Sequence, residues 1–122
     1  PALAAQLEAL GLRLYLFDIF YHRDESVLSH CVDAVVMTEV IEHLHEPLPL
    51  LQQRWAQLKP GGVLALMTQR VIDQARFQQW QYKNDPTHCC FYSEQSFQWL
   101  GDTLGVQKLE FEGRDMVFLR KP

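Results

Sequence analysis

Glu39, Glu42 and His43 stand at i, i+3 and i+4 in the segment Glu39-Val40-Ile41-Glu42-His43. On a short helix that spacing puts all three side chains on one face, where two carboxylates and an imidazole can converge on a cation. Such a mixed oxygen and nitrogen set suits Mg²⁺ or Mn²⁺, and with a second imidazole it also accepts Zn²⁺. His88, in a later loop, is the candidate fourth ligand. A cation there lowers the pKa of a bound hydroxyl, and His43 or His88 can remove the proton as a general base. The competing reading is a pair of solvated glutamates with His43 capping or packing.

Asp18 closes the apolar run Leu12 to Phe17, and Met37 and Thr38 close a second run that begins at Val32. Open α/β sheets bind ligands at the carboxyl ends of their strands, so both positions are candidate cofactor contacts. A turn aspartate and a strand that simply ends are the plain alternatives. Trp80, Tyr82, Phe91 and Tyr92 flank Asp85-Pro86-Thr87-His88 and could wall a pocket for a planar substrate,. A loop anchored on the core by its aromatics is the alternative. Cys89 and Cys90 lack a second cysteine pair at ligand spacing and read as small, partly buried residues.

The elements that must position these residues follow from periodicity. Pro1 with Leu3, Leu7 and Leu10, closed by Gly11, reads as a helix. Leu12–Phe17 reads as a strand and His22–His30 as an irregular stretch. Val32–Met37 is almost wholly apolar, which predicts a central parallel strand covered on both faces. Leu51, Trp55 and Leu58 at i, i+4 and i+7 predict a helix that stops at Lys59, before Pro60 and the turn at Gly61-Gly62. A strand then runs from Val63 to Thr68, followed by a long connector with a weak helix near Asp73–Gln79. Ser93 caps a last helix through Leu104, with Gly105 as its stop. Strands over Val106–Phe111 and Met116–Leu119 close the chain, hinged at Gly113. This order predicts an α/β sandwich with a mostly parallel sheet and a terminal antiparallel hairpin.

At 122 residues, 48% of them hydrophobic, the chain is long enough for one domain with a real core and too short for two,. The net charge of -4 is spread along the chain without a basic run, which disfavours a nucleic-acid partner held by bulk charge,. Three cysteines, two of them adjacent, predict a reducing, cytoplasmic setting,. No apolar stretch approaches the roughly 20 residues needed to cross a bilayer, and no leader opens the chain, so no membrane role is expected.

The apolar run Val32–Val36, then Met37-Thr38-Glu39-Val40-Ile41-Glu42-His43-Leu44, then Leu58-Lys59-Pro60-Gly61-Gly62 before a strand, resembles the middle of class I S-adenosylmethionine (SAM)-dependent methyltransferases. The gap of about 15 residues between the blocks fits one helix. Within that superfamily the likeness is to bacterial proteins with similar residues at Tyr15 to Tyr21 and the pattern Trp80-x-Tyr82-x-x-Asp85-x-Thr87-His88, and it covers roughly residues 1 to 105.

The resemblance implies a Rossmann-like three-layer fold and transfer of a methyl group from SAM to an oxygen or nitrogen acceptor, with a small molecule as the expected partner. It implies Asp18 on the ribose hydroxyls, Ile19 on the adenine face, and Met37 and Thr38 beside the cofactor. Small-RNA and ubiquinone-pathway O-methyltransferases hold a divalent ion with a similar helix and a later histidine. That likeness assigns Glu39, Glu42, His43 and His88 to a metal, with His43 or His88 as the catalytic base. The strand and glycine-rich loop that precede the first helix in these relatives do not occur before Pro1. The fold is therefore expected to be truncated at its N-terminus, to bind SAM weakly by itself, and to expose sheet edges that invite a homodimer. The alternative function is a non-catalytic, degenerate methyltransferase-fold domain that binds a partner.

Overall fold

The computed structural model describes residues 2–11 and 31–122, which fall in two units, Pro1–His30 and Cys31–Pro122. In the first, helix α1 spans Ala2–Ala9. It ends where expected: Gly11 takes a φ of 84°, a left-handed turn that favours glycine, and its amide donates to the Glu8 carbonyl at 2.9 Å,. The strand expected over Leu12–Phe17, and Asp18 and Ile19 at its end, lie outside the described residues.

The second unit is a four-stranded sheet with helices packed on one face. Its elements are β1 (Val32–Thr38), α2 (Pro47–Gln57), β2 (Leu58–Met67), α3 (Gln74–Gln78), α4 (Glu94–Leu104), β3 (Lys108–Glu112) and β4 (Met116–Arg120). The strand order is β1-β2-β4-β3. β1 and β2 run parallel, while β2–β4 and β4–β3 are antiparallel, so the expected terminal hairpin is present. The described sheet is mixed, and residues 12–17, where a further parallel strand is expected, lie outside the described residues.

Registers decide which side chains share a face. Val35 pairs with Leu64 and Met37 with Leu66. Leu64 and Leu66 in turn pair with Leu119 and Val117. These residues meet Leu51, Trp55, Phe97 and Leu100 from α2 and α4 in one buried core. Burying each large apolar side chain stabilises the fold by roughly 1.5–3 kcal/mol. The expectation that β1 is covered on both faces is corrected: Val36, on the opposite face, is 51% exposed. β1 is the end strand of the described sheet, and an unbroken apolar run does not report which face is packed.

α2 starts with Pro47 in its first turn and ends at Gln57, one residue before Leu58, which begins β2. Lys121 Nζ donates to the carbonyls of Trp55 and Leu58 at 3.0 and 2.9 Å, placing a cation on the helix C-terminus,. The Lys-Pro-Gly-Gly turn appears as a break in register: Val32 pairs with Leu58, yet Ala34 pairs with Val63. Gly62 is required there, because a Cβ would lie 2.9 Å from the carbonyl oxygens of both Asp33 and Lys59.

α4 is closed at both ends by local chemistry. Ser93 Oγ accepts from the Ser96 amide at 3.2 Å, and Ser96 Oγ accepts from the Ser93 amide at 2.8 Å, a reciprocal capping box,. Gly105 turns left-handed at φ 75°. No helix among the described residues is long and apolar enough to cross a membrane.

Candidate functional site

The ends of β1 and β2 lie side by side, Thr38 opposite Met67. The Glu39 amide donates to the Met67 carbonyl at 2.9 Å, which holds Glu39 to the ladder one residue past the strand. Glu39 then turns with φ at 55°, the single non-glycine residue with positive φ among the described residues. Such backbone is sparsely populated and concentrates where function demands it. Only Ile41–His43 is helical, as one 3₁₀ turn. The expectation that Glu39, Glu42 and His43 share one helix face is therefore corrected for Glu39, which the strand ladder holds outside the helix.

The later loop clamps this turn. The amides of Cys89 and Cys90 both donate to the Glu42 carbonyl, at 2.6 and 3.1 Å. Tyr92 OH donates to the Ile41 carbonyl at 3.1 Å and the Cys90 thiol to the Leu44 carbonyl at 3.1 Å. These bonds bring His88 beside residues more than forty positions away. The His43 and His88 rings meet edge to face with centroids 4.8 Å apart.

Glu42 is 0% exposed, and no N–H or hydroxyl donor among the described residues reaches either of its carboxylate oxygens, while the Glu39 carboxyl lies beside them. Burying a carboxylate in that state costs several kcal/mol unless something positive compensates. The closest basic atom among the described residues is His43 Nε2, 3.6 Å from Glu42 Oε1 and too far for a hydrogen bond,. His43 Nδ1 lies 3.0 Å from the Thr87 carbonyl and His88 Nδ1 lies 2.6 Å from the Tyr82 carbonyl. A carbonyl only accepts, so both Nδ1 atoms donate, and in the neutral ring each Nε2 keeps a lone pair, that of His88 lying 3.5 Å from Asp85 Oδ2,. Ligand atoms of Glu42, His43 and His88 all lie within 4.8 Å of one another. One carboxylate and two imidazoles, each imidazole oriented by a carbonyl behind it, form a donor set that fits a divalent cation.

Glu39 stands outside this trio and is held by a polar chain. Tyr82 OH donates to Glu39 Oε2 at 3.1 Å, so the Thr68 hydroxyl, also 3.1 Å away, donates to Tyr82. Desolvation raises the pKa of the Glu39 carboxyl, and the neighbouring Glu42 carboxyl raises it further, with Tyr82 acting in the opposite direction. Burial pushes the Tyr82 phenol up as well, which keeps its proton in place as a donor. Asp85 tightens the loop before His88: its Oδ1 accepts from the Thr87 hydroxyl and amide at 2.6 and 2.9 Å. Those two bonds hold its carboxyl below the usual range.

Met37 is buried in the core and Thr38 stands half-buried at the strand end. Trp80 stacks on Tyr82 at 4.8 Å, with Phe91 edge-on to Phe77 at 5.4 Å. Tyr92, grouped with this wall from the sequence, instead stacks on Phe97 at 5.2 Å and belongs to the α4 side. Cys90 is half-buried as expected, whereas Cys89 is exposed. Arg70, which the sequence did not single out, is buried and donates to the carbonyls of Gly113 and Met116. Its guanidinium lies 4.7 Å from the Phe111 ring centroid, so it ties the tip of the hairpin down. Tyr82 was expected only as an aromatic wall, and Thr68 only as the end of a strand; nothing in local spacing marks them as a polar link.

A family model described as a methyltransferase domain matches residues 2–110. No curated protein matches the chain. Among solved structures, an O-methyltransferase family protein from Burkholderia thailandensis is similar at 14% identity and a TM-score of 0.64, over 98% of this chain and 39% of its own. A possible exported protein from Bordetella parapertussis is similar at 19% identity and a TM-score of 0.58, over 83% of this chain and 43% of its own. OxaC is similar at 16% identity and a TM-score of 0.54, over 96% and 31% respectively. At these identities the likeness establishes the fold, a Rossmann-like α/β arrangement. The chain spans less than half the length of each of these structures.

Proposed function

The chain belongs to the methyltransferase-domain family, and we propose that it serves transfer of a methyl group from SAM to an oxygen of a small-molecule acceptor, assisted by a divalent cation. The observation that carries the cation is Glu42, fully buried, with no donor on either oxygen, beside His43 Nε2 and with a ring nitrogen of His88 within 4.8 Å. Glu42, His43 and His88 would hold the ion. When bound, it supplies Lewis acidity that lowers the pKa of the acceptor hydroxyl.

The chain's own residues do the rest. The Tyr82 and Thr87 carbonyls fix the two imidazole tautomers, and Glu42 supplies the charge that compensates the cation. A lone pair that ligates cannot at the same time take a proton. The metal and base roles that the sequence gives His43 and His88 are therefore exclusive at Nε2. Glu39, outside the trio and carrying a raised pKa, is the group placed to receive the acceptor proton at its carboxylate,. The acceptor oxygen then bonds to the methyl carbon, and the sulfur leaves as a neutral thioether. SAM lies in this reading at the carboxyl end of β1, beside Thr38, with Asp18 and Ile19 assigned to it by family likeness. The acidic balance and the aromatic wall of Trp80 and Tyr82 favour a small acceptor over a nucleic acid,.

The test is calorimetric titration of Mn²⁺ and Zn²⁺ into the metal-free chain and into Glu42→Ala. One ion per chain is expected, with binding lost in the variant. If the parent chain takes up neither ion, the cation is removed from the mechanism. Methyl transfer that runs unchanged in EDTA has the same effect.

A further inference from the structure

The turn Asp85-Pro86-Thr87-His88 serves both imidazoles of the cluster. Pro86 suits the second position of a turn and has no amide to satisfy, and the His88 amide closes the turn on the Asp85 carbonyl at 3.0 Å,. The Thr87 carbonyl accepts from His43 Nδ1 at 3.0 Å. Asp85 Oδ1 is taken up inside the turn by the Thr87 amide and hydroxyl. Those two bonds fix the carboxylate and turn Oδ2 toward His88, 3.5 Å from Nε2.

Two contacts in the cluster then have the same form. Glu42 Oε1 stands 3.6 Å from His43 Nε2, and Asp85 Oδ2 stands 3.5 Å from His88 Nε2. With both Nδ1 atoms donating, each contact sets a carboxylate lone pair against an imidazole lone pair, which needs positive charge between the two atoms. The separations suit a shared cation, because donors about 2.0–2.2 Å from one ion at octahedral or tetrahedral angles stand roughly 3–3.6 Å apart. The two carboxylates differ in access. The Glu42 side chain is sealed at 0%, whereas that of Asp85 is 45% exposed, so Asp85 is the one that ions in solvent reach. Glu39, the second carboxylate that spacing alone suggests, has its Oε2 taken by the Tyr82 hydroxyl.

We propose that Asp85 is the second carboxylate ligand of the cation site, its Oδ2 completing a set of two carboxylates and two imidazoles with Glu42, His43 and His88. This role rests on the cation of the methyl-transfer reading. What it adds is the choice of ion. With Asp85 the set holds enough oxygen for Mn²⁺; without it, one carboxylate and two imidazoles remain, a set that holds Zn²⁺ with one position open.

The probes are Mn²⁺ and Zn²⁺, each titrated by calorimetry into the metal-free chain and three variants. Asp85→Asn keeps a carbonyl oxygen to accept from Thr87 and replaces Oδ2 by an amide nitrogen with no lone pair to offer a cation. Its affinity for Mn²⁺ should fall about 100-fold, the upper end of what loss of an outer-shell partner costs, while Zn²⁺ should weaken by only about tenfold. Glu39→Gln removes a carboxylate of the same charge beside the cluster and should cost Mn²⁺ less than Asp85→Asn does. Thr87→Val removes the hydroxyl that steadies Asp85 Oδ1 and should weaken both ions alike, by about fivefold,.

An unchanged Mn²⁺ affinity in Asp85→Asn overturns the proposal. An equal loss of both ions overturns it too, because Asp85 then only steadies the turn. A larger Mn²⁺ loss in Glu39→Gln than in Asp85→Asn makes Glu39 the second carboxylate instead. The two affinities are compared within one variant, so a smaller folded fraction leaves their ratio unaltered. A parent chain that binds neither ion removes the cation and this role together. A parent that binds both, with no discrimination between them lost in Asp85→Asn, removes Asp85 alone and leaves the cation in place.

Discussion

A carboxylate sealed from water with no donor on either oxygen is a cost that a protein does not carry without compensation, and at Glu42 the compensation we propose is a bound cation,. This gives a prediction with two opposite signs. Glu42→Gln should raise the stability of the metal-free chain by about 1–3 kcal/mol, since a buried unpaired charge is removed. The same substitution should abolish the rise in melting temperature that Mn²⁺ or Zn²⁺ gives the parent. Thermal melts of both proteins with and without ion decide it. A variant that is less stable without ion would mean that Glu42 is a conventional structural residue. Tyr82→Phe removes only the hydroxyl between Thr68 and Glu39. It should cost about 1 kcal/mol in a denaturant melt. Methyl transfer should fall while ion binding by the trio stays within a few-fold, a split read by comparing rate with calorimetry. At this scale the sequence was legible in residue type and not in arrangement. Glu42, His43 and His88 do come together, but spacing put Glu39 on a helix that begins only after it. The hydroxyl of Tyr82 meets Glu39 across 43 positions through a loop with no periodic pattern.

Elements were legible where their ends are written locally. Ser93 and Gly105 bound α4 because a hydroxyl cap and a left-handed glycine act within one turn of the backbone,. Ser93→Ala should therefore cost about 1 kcal/mol in chemical denaturation. β1 was legible as a strand, but the covering of its faces was not, since an apolar run is silent on what lies against it. The turn ahead of β2 was legible as a turn, whereas the close approach of Gly62 to the β1 backbone depends on tertiary pairing. Gly62→Ala should be the more damaging change of the glycine pair, by about 1–3 kcal/mol, because the new methyl presses on two fixed carbonyl oxygens,. Gly61→Ala meets open space and carries only the strain of its left-handed φ of 81°, about 1 kcal/mol,. Urea melts of the two variants give the ranking, and an equal effect would refute the steric account.

For the molecule as a whole, the strand order has a temporal consequence. β4 comes last along the described sheet yet lies inside it, between β2 and β3, and delivers Val117 and Leu119 to the centre of the core. While the chain is being synthesised, the strands already made have a vacant lane down the middle of their sheet and cannot seal it from one another. Consolidation must wait for Met116–Arg120 to emerge, and until then the growing polypeptide displays an adhesive edge of the kind chaperones recognise,. A chain stopped before Met116 should give no cooperative thermal transition by circular dichroism. Supplying the segment Met116–Arg120 as a separate peptide should restore part of the transition by filling that lane.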